Sequence, residues 1–228
     1  MSPDENGYGL CGLCRRELDT VSDAVSASGE FSSGGKPCGL CGRPLISESG
    51  TCLSCRNGGK GSVDRTAVIY PYSGKYRRLL ASYKFGKNLA LGRFFAEKII
   101  GALVRLSLSG AEGAVFVPVP PQPGKIRKAG WDQVERLAGF LEKAGKNHSA
   151  ILPVHRCLRR LRSASQKELD REARRKNLAG RIIAIRNVPP VAVLFDDVMT
   201  TGSTLEACAR TLKTSGTQKV YGICLFYD

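Results

Sequence analysis

Two groups of residues in this chain have the types and spacing that chemistry requires. The first is the run Val191-Ala-Val-Leu-Phe-Asp-Asp-Val-Met-Thr-Thr-Gly-Ser-Thr204. Val191 to Phe195 is apolar and reads as a buried strand ending on adjacent carboxylates, Asp196 and Asp197. A loop of hydroxyls and glycine follows: Thr200, Thr201, Gly202, Ser203 and Thr204. Leu205, Cys208, Ala209 and Leu212 then take the i, i+3, i+4, i+7 spacing of a helix packed on a sheet. Such a junction suits an anion. The first N–H groups of the helix lack partners, the helix dipole adds positive charge, and Gly202 permits close backbone approach. The acidic pair cannot help hold a phosphate, but it suits the hydroxyls of a sugar that carries one. Ser203 and Glu206 also spell an S-x-x-E capping box, which accounts for those two residues alone. No G-x-x-x-x-G-K-[ST] occurs, which excludes a P-loop.

The second group is Cys38, Cys41, Cys52 and Cys55, two Cys-x-x-Cys pairs separated by ten residues. Each pair fits a tight knuckle whose amides face the sulfurs, with Gly39 and Gly42 supplying the bends, and four thiolates complete a tetrahedral zinc site. Four protein ligands leave no open position, so this zinc is structural and contributes to folding. Cys11 and Cys14 form a third pair without a fourth to match it. They are a vestigial half-site (the preferred reading), a site completed by a carboxylate such as Asp19, or alternates for one of the other pairs. A redox role is disfavoured because the βαβ context of thioredoxin-like pairs is absent. Cys157, Cys208 and Cys224 have no ligand spacing and read as core or surface thiols.

The elements that must position these groups follow from periodicity. Residues 1–60 are rich in Gly, Ser and Cys, with a low-complexity, flexible stretch from Ser22 to Lys36. Asn57-Gly-Gly-Lys-Gly61 is a hinge, and we place the boundary there, between domains at 1–60 and 61–228. Beyond it, strands are expected at Thr66–Tyr70, Ala114–Val117, Arg181–Ile185, Val191–Phe195 and Lys219–Phe226. Helices are expected at Tyr76–Phe85, along Leu91 to Leu106, around Val134 to Leu141, and after Thr204. Alternating strands and helices predict an α/β fold with a mostly parallel sheet covered on both faces. The ligand then sits beyond the carboxyl ends of the strands, where the acidic pair lies.

Composition bounds the function. The chain has 228 residues, 42% of them hydrophobic, and a formal charge of +15. Residues 1–60 carry −1 and residues 61–228 carry +16, with +8 between Arg156 and Arg186 alone. That surplus attracts polyanions such as nucleic acid, or it forms a solvated surface. No apolar run approaches a membrane span and the first ten residues have no leader pattern, so a cytoplasmic protein without membrane insertion is expected. His148 and His155 have no nucleophile-type context and read as surface or core residues.

The run from Asp196 to Thr204 resembles the phosphoribosyl-pyrophosphate (PRPP) motif of type I phosphoribosyltransferases. The resemblance implies that Thr200, Thr201, Gly202, Ser203 and Thr204 hold a 5-phosphate and that Asp196 and Asp197 hold and polarise the ribose as catalytic residues. A cysteine-knuckle head on such a body resembles the ComF family, named for bacterial competence. Supporting patches are Leu80-Ala-Ser-Tyr-Lys84-Phe85-Gly86, Val117-Pro-Val-Pro120 with Gly130-Trp-Asp-Gln133, and Gln166, Leu169, Arg174 and Asn177. Three departures stand out: Ala129 in place of Arg before Gly130, Trp131-Asp132 in place of Phe-Asn, and no fourth cysteine pair. The resemblance implies a type I phosphoribosyltransferase-like body with a small zinc-ribbon-like domain, structural Zn²⁺, and Mg²⁺ with PRPP. It further implies that Lys84, Arg127, Lys128 and Arg174 take up pyrophosphate charge, and that Arg174 and Asn177 cover the site. The function implied is a PRPP-binding protein of DNA uptake or nucleotide metabolism. The alternative is a non-catalytic, single-stranded-DNA-binding protein of transformation whose phosphoribosyl site only binds ligand. A zinc-knuckle adaptor that docks another protein is a third. No residue identifies an acceptor base or a general base, so an enzyme and a binding protein both stand, and oligomeric state has no sequence signature.

Overall fold

The computed structural model describes residues 7–27, 36–58, 61–108, 112–147, 151–162 and 180–228. Within them, helix α1 (Gly12–Ala27) and the short α2 (Leu53–Asn57) precede β1 (Arg65–Pro71), α3 (Gly74–Lys84) and α4 (Leu91–Arg105). Then come β2 (Ala114–Pro118), α5 (Lys125–Ala129), α6 (Gln133–Asn147), β3 (Leu158–Arg160) and β4 (Ile182–Ala184). The chain closes with β5 (Val191–Met199), α7 (Ser203–Thr214) and β6 (Lys219–Tyr227).

Four strands form one parallel sheet in the order β1-β6-β5-β2. Its strands read as continuous apolar runs because both faces are covered. Val193, Phe195, Ile223 and Phe116 pack with α4 and α6 around Phe95, Ile99, Leu137 and Leu141. Ala192, Leu194, Val220 and Val117 face the other way, onto Leu205, Cys208, Ala209 and Leu212 of α7. Cys157, Cys208 and Cys224 are all core thiols of that second layer.

The expected α/β architecture is present, with four differences in detail. The strand read at Arg181–Ile185 does not join the main sheet. It pairs antiparallel with β3 as a two-stranded ribbon, because Ile182 needs only one buried face. The strand bearing the acidic pair does not end at Phe195; its ladder with β6 runs on to Met199, carrying both acids on the sheet. Ser22 to Ala27, read as flexible, continues helix α1. Upstream in that helix Leu18 is buried in the main core and its carbonyl accepts from Tyr70 Oη, while Asp19 pairs with Lys98 of α4. Tertiary contact rather than propensity therefore holds α1. Finally, Ser203 and Glu206 form no capping box. Gly202 is the N-cap, and Glu206 instead accepts from the amide and hydroxyl of Ser62, both at 2.8 Å.

Polar groups from elsewhere in the chain meet both outer strands. Thr66 of β1 donates its N–H to Leu40 O at 2.7 Å, and Arg105 Nη1 donates to Val68 O at 3.0 Å. On β2, Phe116 donates to Pro153 O and accepts from the His155 N–H, both at 2.8 Å.

Candidate functional site

Four sulfurs converge first. The Sγ atoms of Cys38, Cys41, Cys52 and Cys55 all lie within 4.8 Å of one another, and Cys41 and Cys52 are 3.8 Å apart. Tetrahedral zinc with bonds of about 2.3 Å separates its sulfurs by about 3.8 Å, so the set fits the metal. Amides support it: the Cys52 N–H reaches Cys38 Sγ at 3.3 Å. Burial alone would raise the Cys38 thiol, but the amides of Cys52, Cys41 and Leu40 bring it to about 7. Those amides favour the thiolate a metal requires. Cys11 and Cys14 stand apart at the start of α1, where the Cys14 N–H contacts Cys11 Sγ at 3.5 Å. Among the described residues no further ligand group joins them in metal geometry. Asp19, the carboxylate considered for that role, is engaged by Lys98 at 2.5 Å and Arg15 at 3.6 Å.

The acidic pair sits where β5 passes the carboxyl end of β2. Asp197 is buried at 6% exposure, and Asp196 is half-buried. Lys84 Nζ and Gln133 Nε2 both meet Asp197 Oδ2 at 2.5 Å. Asp196 Oδ1 accepts the Asp197 N–H at 2.8 Å. Burial, together with the charge of Asp197, pushes the Asp196 carboxyl well above its usual range. Burial pulls Asp197 upward too, but the Lys84 ammonium outweighs it and holds that carboxyl low. The neighbours thus divide the labour: Asp197 is an ionised acceptor, while Asp196 is biased toward holding a proton. Two such carboxyls can meet adjacent hydroxyls with one acceptor and one donor.

Helix α6 starts at this point for a local reason. Asp132 Oδ1 accepts the N–H groups of Val134 and Glu135 at 2.9 and 3.1 Å, an N-cap that Asp performs as well as the Asn it replaces. Lys125 Nζ bonds Asp132 Oδ2 at 2.6 Å and also reaches Gln133 Oε1. Trp131 packs edge-on against Tyr83, 5.4 Å between centroids. The segment after β2 is therefore strapped to the acids through Gln133.

At the head of α7 lies a cleft of about 750 Å³. Thr200, Thr201, Ser203 and Thr204 form one side, and Gly202 turns the chain at φ +75° to open the helix. Thr201 Oγ1 is hydrogen-bonded to Ser203 Oγ and accepts the Ser203 N–H at 3.3 Å. Facing them are Arg127 and Lys128 of α5 and, from the β3–β4 ribbon, Arg160, Arg162 and Arg181. Among the described residues no acidic side chain lines the cleft. Burial lowers the pKa of the Arg160 guanidinium, and Arg181 Nη1 is buried without a hydrogen-bond partner among the described residues. Desolvated cations of this kind favour an anion.

The structure brings the hydroxyl loop together with Arg127 and Lys128 around one cleft. It places Lys84 on Asp197 rather than in the cleft, whose lining does not include the acids. Arg174 and Asn177 lie outside the described residues, as do Gln166, Leu169 and His148. Sequence reasoning missed Arg160, Arg162 and Arg181, which it left in a basic run with a solvated face as the bland reading. The run divides: Arg156 pairs with Glu135 and Glu142 of α6, while those three arginines line the cleft. It missed Gln133 and Asp132 as well, whose types alone carried no role.

No family model matches the chain. Three curated proteins do. It is 25% identical over 230 residues to competence protein ComFC of Bacillus subtilis, spanning 95% of this chain and 81% of that protein. It is 24% identical over 224 residues to competence protein F of Haemophilus influenzae, spanning 93% and 87%. A shorter match, 26% over 153 residues, is to ComFC of Streptococcus pneumoniae, spanning 67% and 64%. With similarity over most of its length, a mostly parallel α/β body and an N-terminal four-cysteine cluster, the chain is similar to the ComF-type competence proteins.

Proposed function

We propose that the cleft at the head of α7 binds PRPP, with the 5-phosphate on Thr200–Thr204, the ribose hydroxyls on Asp196 and Asp197, and the pyrophosphate on the cations opposite. One observation carries this reading: a hydroxyl-and-glycine helix N-terminus faces five cationic side chains and, among the described residues, no acid, directly after an adjacent carboxylate pair of which Asp197 is buried. A ligand that pairs a sugar diol with separated phosphates uses both halves at once. Mg²⁺ would neutralise pyrophosphate oxygens while keeping most of its waters. This chain's residues do the rest. The loop fixes the phosphate end, Asp197 is kept ionised by Lys84 and accepts from a ribose hydroxyl, and the ribbon arginines offset leaving-group charge. Relatives bearing the name competence protein suggest the setting is DNA uptake.

Titration calorimetry of the zinc-loaded protein with PRPP and Mg²⁺ tests the proposal. Saturable heat is expected, and its absence overturns the reading. Release of pyrophosphate with a panel of bases then separates an enzyme from a binding protein. The +16 charge of residues 61–228 favours a second reading, single-stranded-DNA binding by the same body. It predicts DNA affinity that falls steeply with salt and survives loss of Asp197.

A further inference from the structure

The cysteine knuckle and the anion loop touch. Arg43 follows the first cysteine pair by two residues and donates from Nη2 to the carbonyl oxygen of Thr200, the first residue of the loop. Its backbone is fixed by the metal ligands themselves. The Cys38 N–H donates to Arg43 O at 2.7 Å, and the Arg43 N–H bonds Cys41 Sγ. The knuckle is in turn seated on the body: Thr66 bonds Leu40 O, and Cys41 packs against the second core layer. At Gly42, φ is +72° and an added Cβ would lie 2.3 Å from Thr66 O, so nothing larger than glycine lets the knuckle come so close. Arg43 is half-buried, and no carboxylate among the described residues pairs with it. Its Nε is buried without a hydrogen-bond partner.

We infer that Arg43 is a positioning residue of the anion loop, and that metal ligation in the knuckle sets how rigidly that loop is held. A guanidinium bonded to a carbonyl fixes the Thr200 peptide, and hence the start of the turn through Gly202. Its uncompensated charge beside the loop adds to the potential an anion meets. Losing the metal frees the backbone that aims Arg43, and the loop loses its anchor although it lies in another part of the sequence. This inference depends on the PRPP reading only for its consequence in affinity.

The test is hydrogen exchange on the full, ligand-free, zinc-loaded chain. Arg43→Ala should speed exchange of the amides of residues 201–204 roughly 10-fold, the scale of a lost hydrogen bond to a charged group. Zinc content and exchange in β5 and β6 should not change. Arg43→Gln, which keeps a donor, should restore part of the protection. Stripping zinc from the wild type should loosen the same amides, and stripping the Arg43→Ala variant should add little more. Unchanged loop exchange in Arg43→Ala overturns the inference. So does a rise spread evenly over the sheet, or zinc loss in both variants, either of which assigns Arg43 to general packing. If the wild type binds no PRPP, the proposed function fails, while the exchange measurement still judges Arg43.

Discussion

The cysteine knuckle and the cleft at α7 are built from the same device, backbone amides aimed at negative atoms, and they put it to opposite uses. In the knuckle the amides meet sulfurs of the chain itself, and four ligands close on one another within 4.8 Å. At α7 the first turn of helix faces a cleft of about 750 Å³ lined by cations, and under the proposed function the negative partner comes from outside. A closed set turns its interaction energy into folding, whereas an open one holds it until a ligand arrives. The difference shows in the titrating groups too. In the knuckle, amides bring Cys38 down toward thiolate, while beside the cleft burial and like charge push Asp196 toward its protonated form.

Breaking the closed set should have the largest effect. Cys52→Ser, or chelation, removes ligation worth on the order of 10 kcal/mol in small zinc domains. Metal analysis and thermal unfolding should show lost zinc and a separate low-temperature transition. Full retention of cooperative unfolding without metal would refute the closed-site half of the comparison. Next comes the open set. Asp197→Ala should weaken PRPP at least about 10-fold, the scale of hydrogen bonds to a charged acceptor, with zinc content unchanged. Calorimetry reads this, and an unaltered affinity would remove the acids from the ligand site. Gly42→Ala sharpens the contrast by parting the two regions while leaving every ligand in place. The left-handed backbone alone costs about 1–3 kcal/mol, added to contact with Thr66 O. A lower melting temperature with zinc retained is expected, and an unmoved midpoint would mean that the seat is not tight.

The smallest effect is a gain. Because the Asp196 carboxyl is raised in the folded state, ionising it costs stability, a penalty absent below the unfolded pKa of about 4 that grows as pH rises toward the folded value. Asp197 has the opposite sign: its lowered pKa contributes stability above about pH 4 that is lost as pH falls through the folded value. Asp196→Asn keeps an acceptor for the Asp197 amide, so it should raise the melting temperature slightly at pH 7 and not at pH 3.5. Equal stability at both pH values would show that Asp196 is not strained by burial.

Much of this was legible in the chain. The apolar run before Asp196, the helical spacing after Thr204 and the two cysteine pairs each carry a short-range pattern, and each lies in the strand, helix or cluster expected of it, the strand running four residues longer. What escaped depends on partners far along the chain. Helix α1 is held by Leu18 in the core and by Lys98 and Lys75 on Asp19 and Glu17. Strand β3 is Leu-Arg-Arg, three residues with no alternation to detect. Glu206 had a plausible local use as a cap and serves instead as the acceptor for a residue 144 positions away. Lys84 and Gln133 are ordinary polar residues until the fold sets both on Asp197.

The contacts on the outer strands bear on how the protein behaves when damaged. An open parallel sheet exposes a row of unpaired amides and carbonyls along each rim, a template on which a stray strand can grow. Here Pro153 and His155 occupy one rim, and Leu40, supplied by the knuckle, occupies the other beside Arg105. A metal held in the knuckle would therefore also guard against clumping: a chain without it is expected to bare the β1 rim and self-associate while the rest of the sheet was still intact.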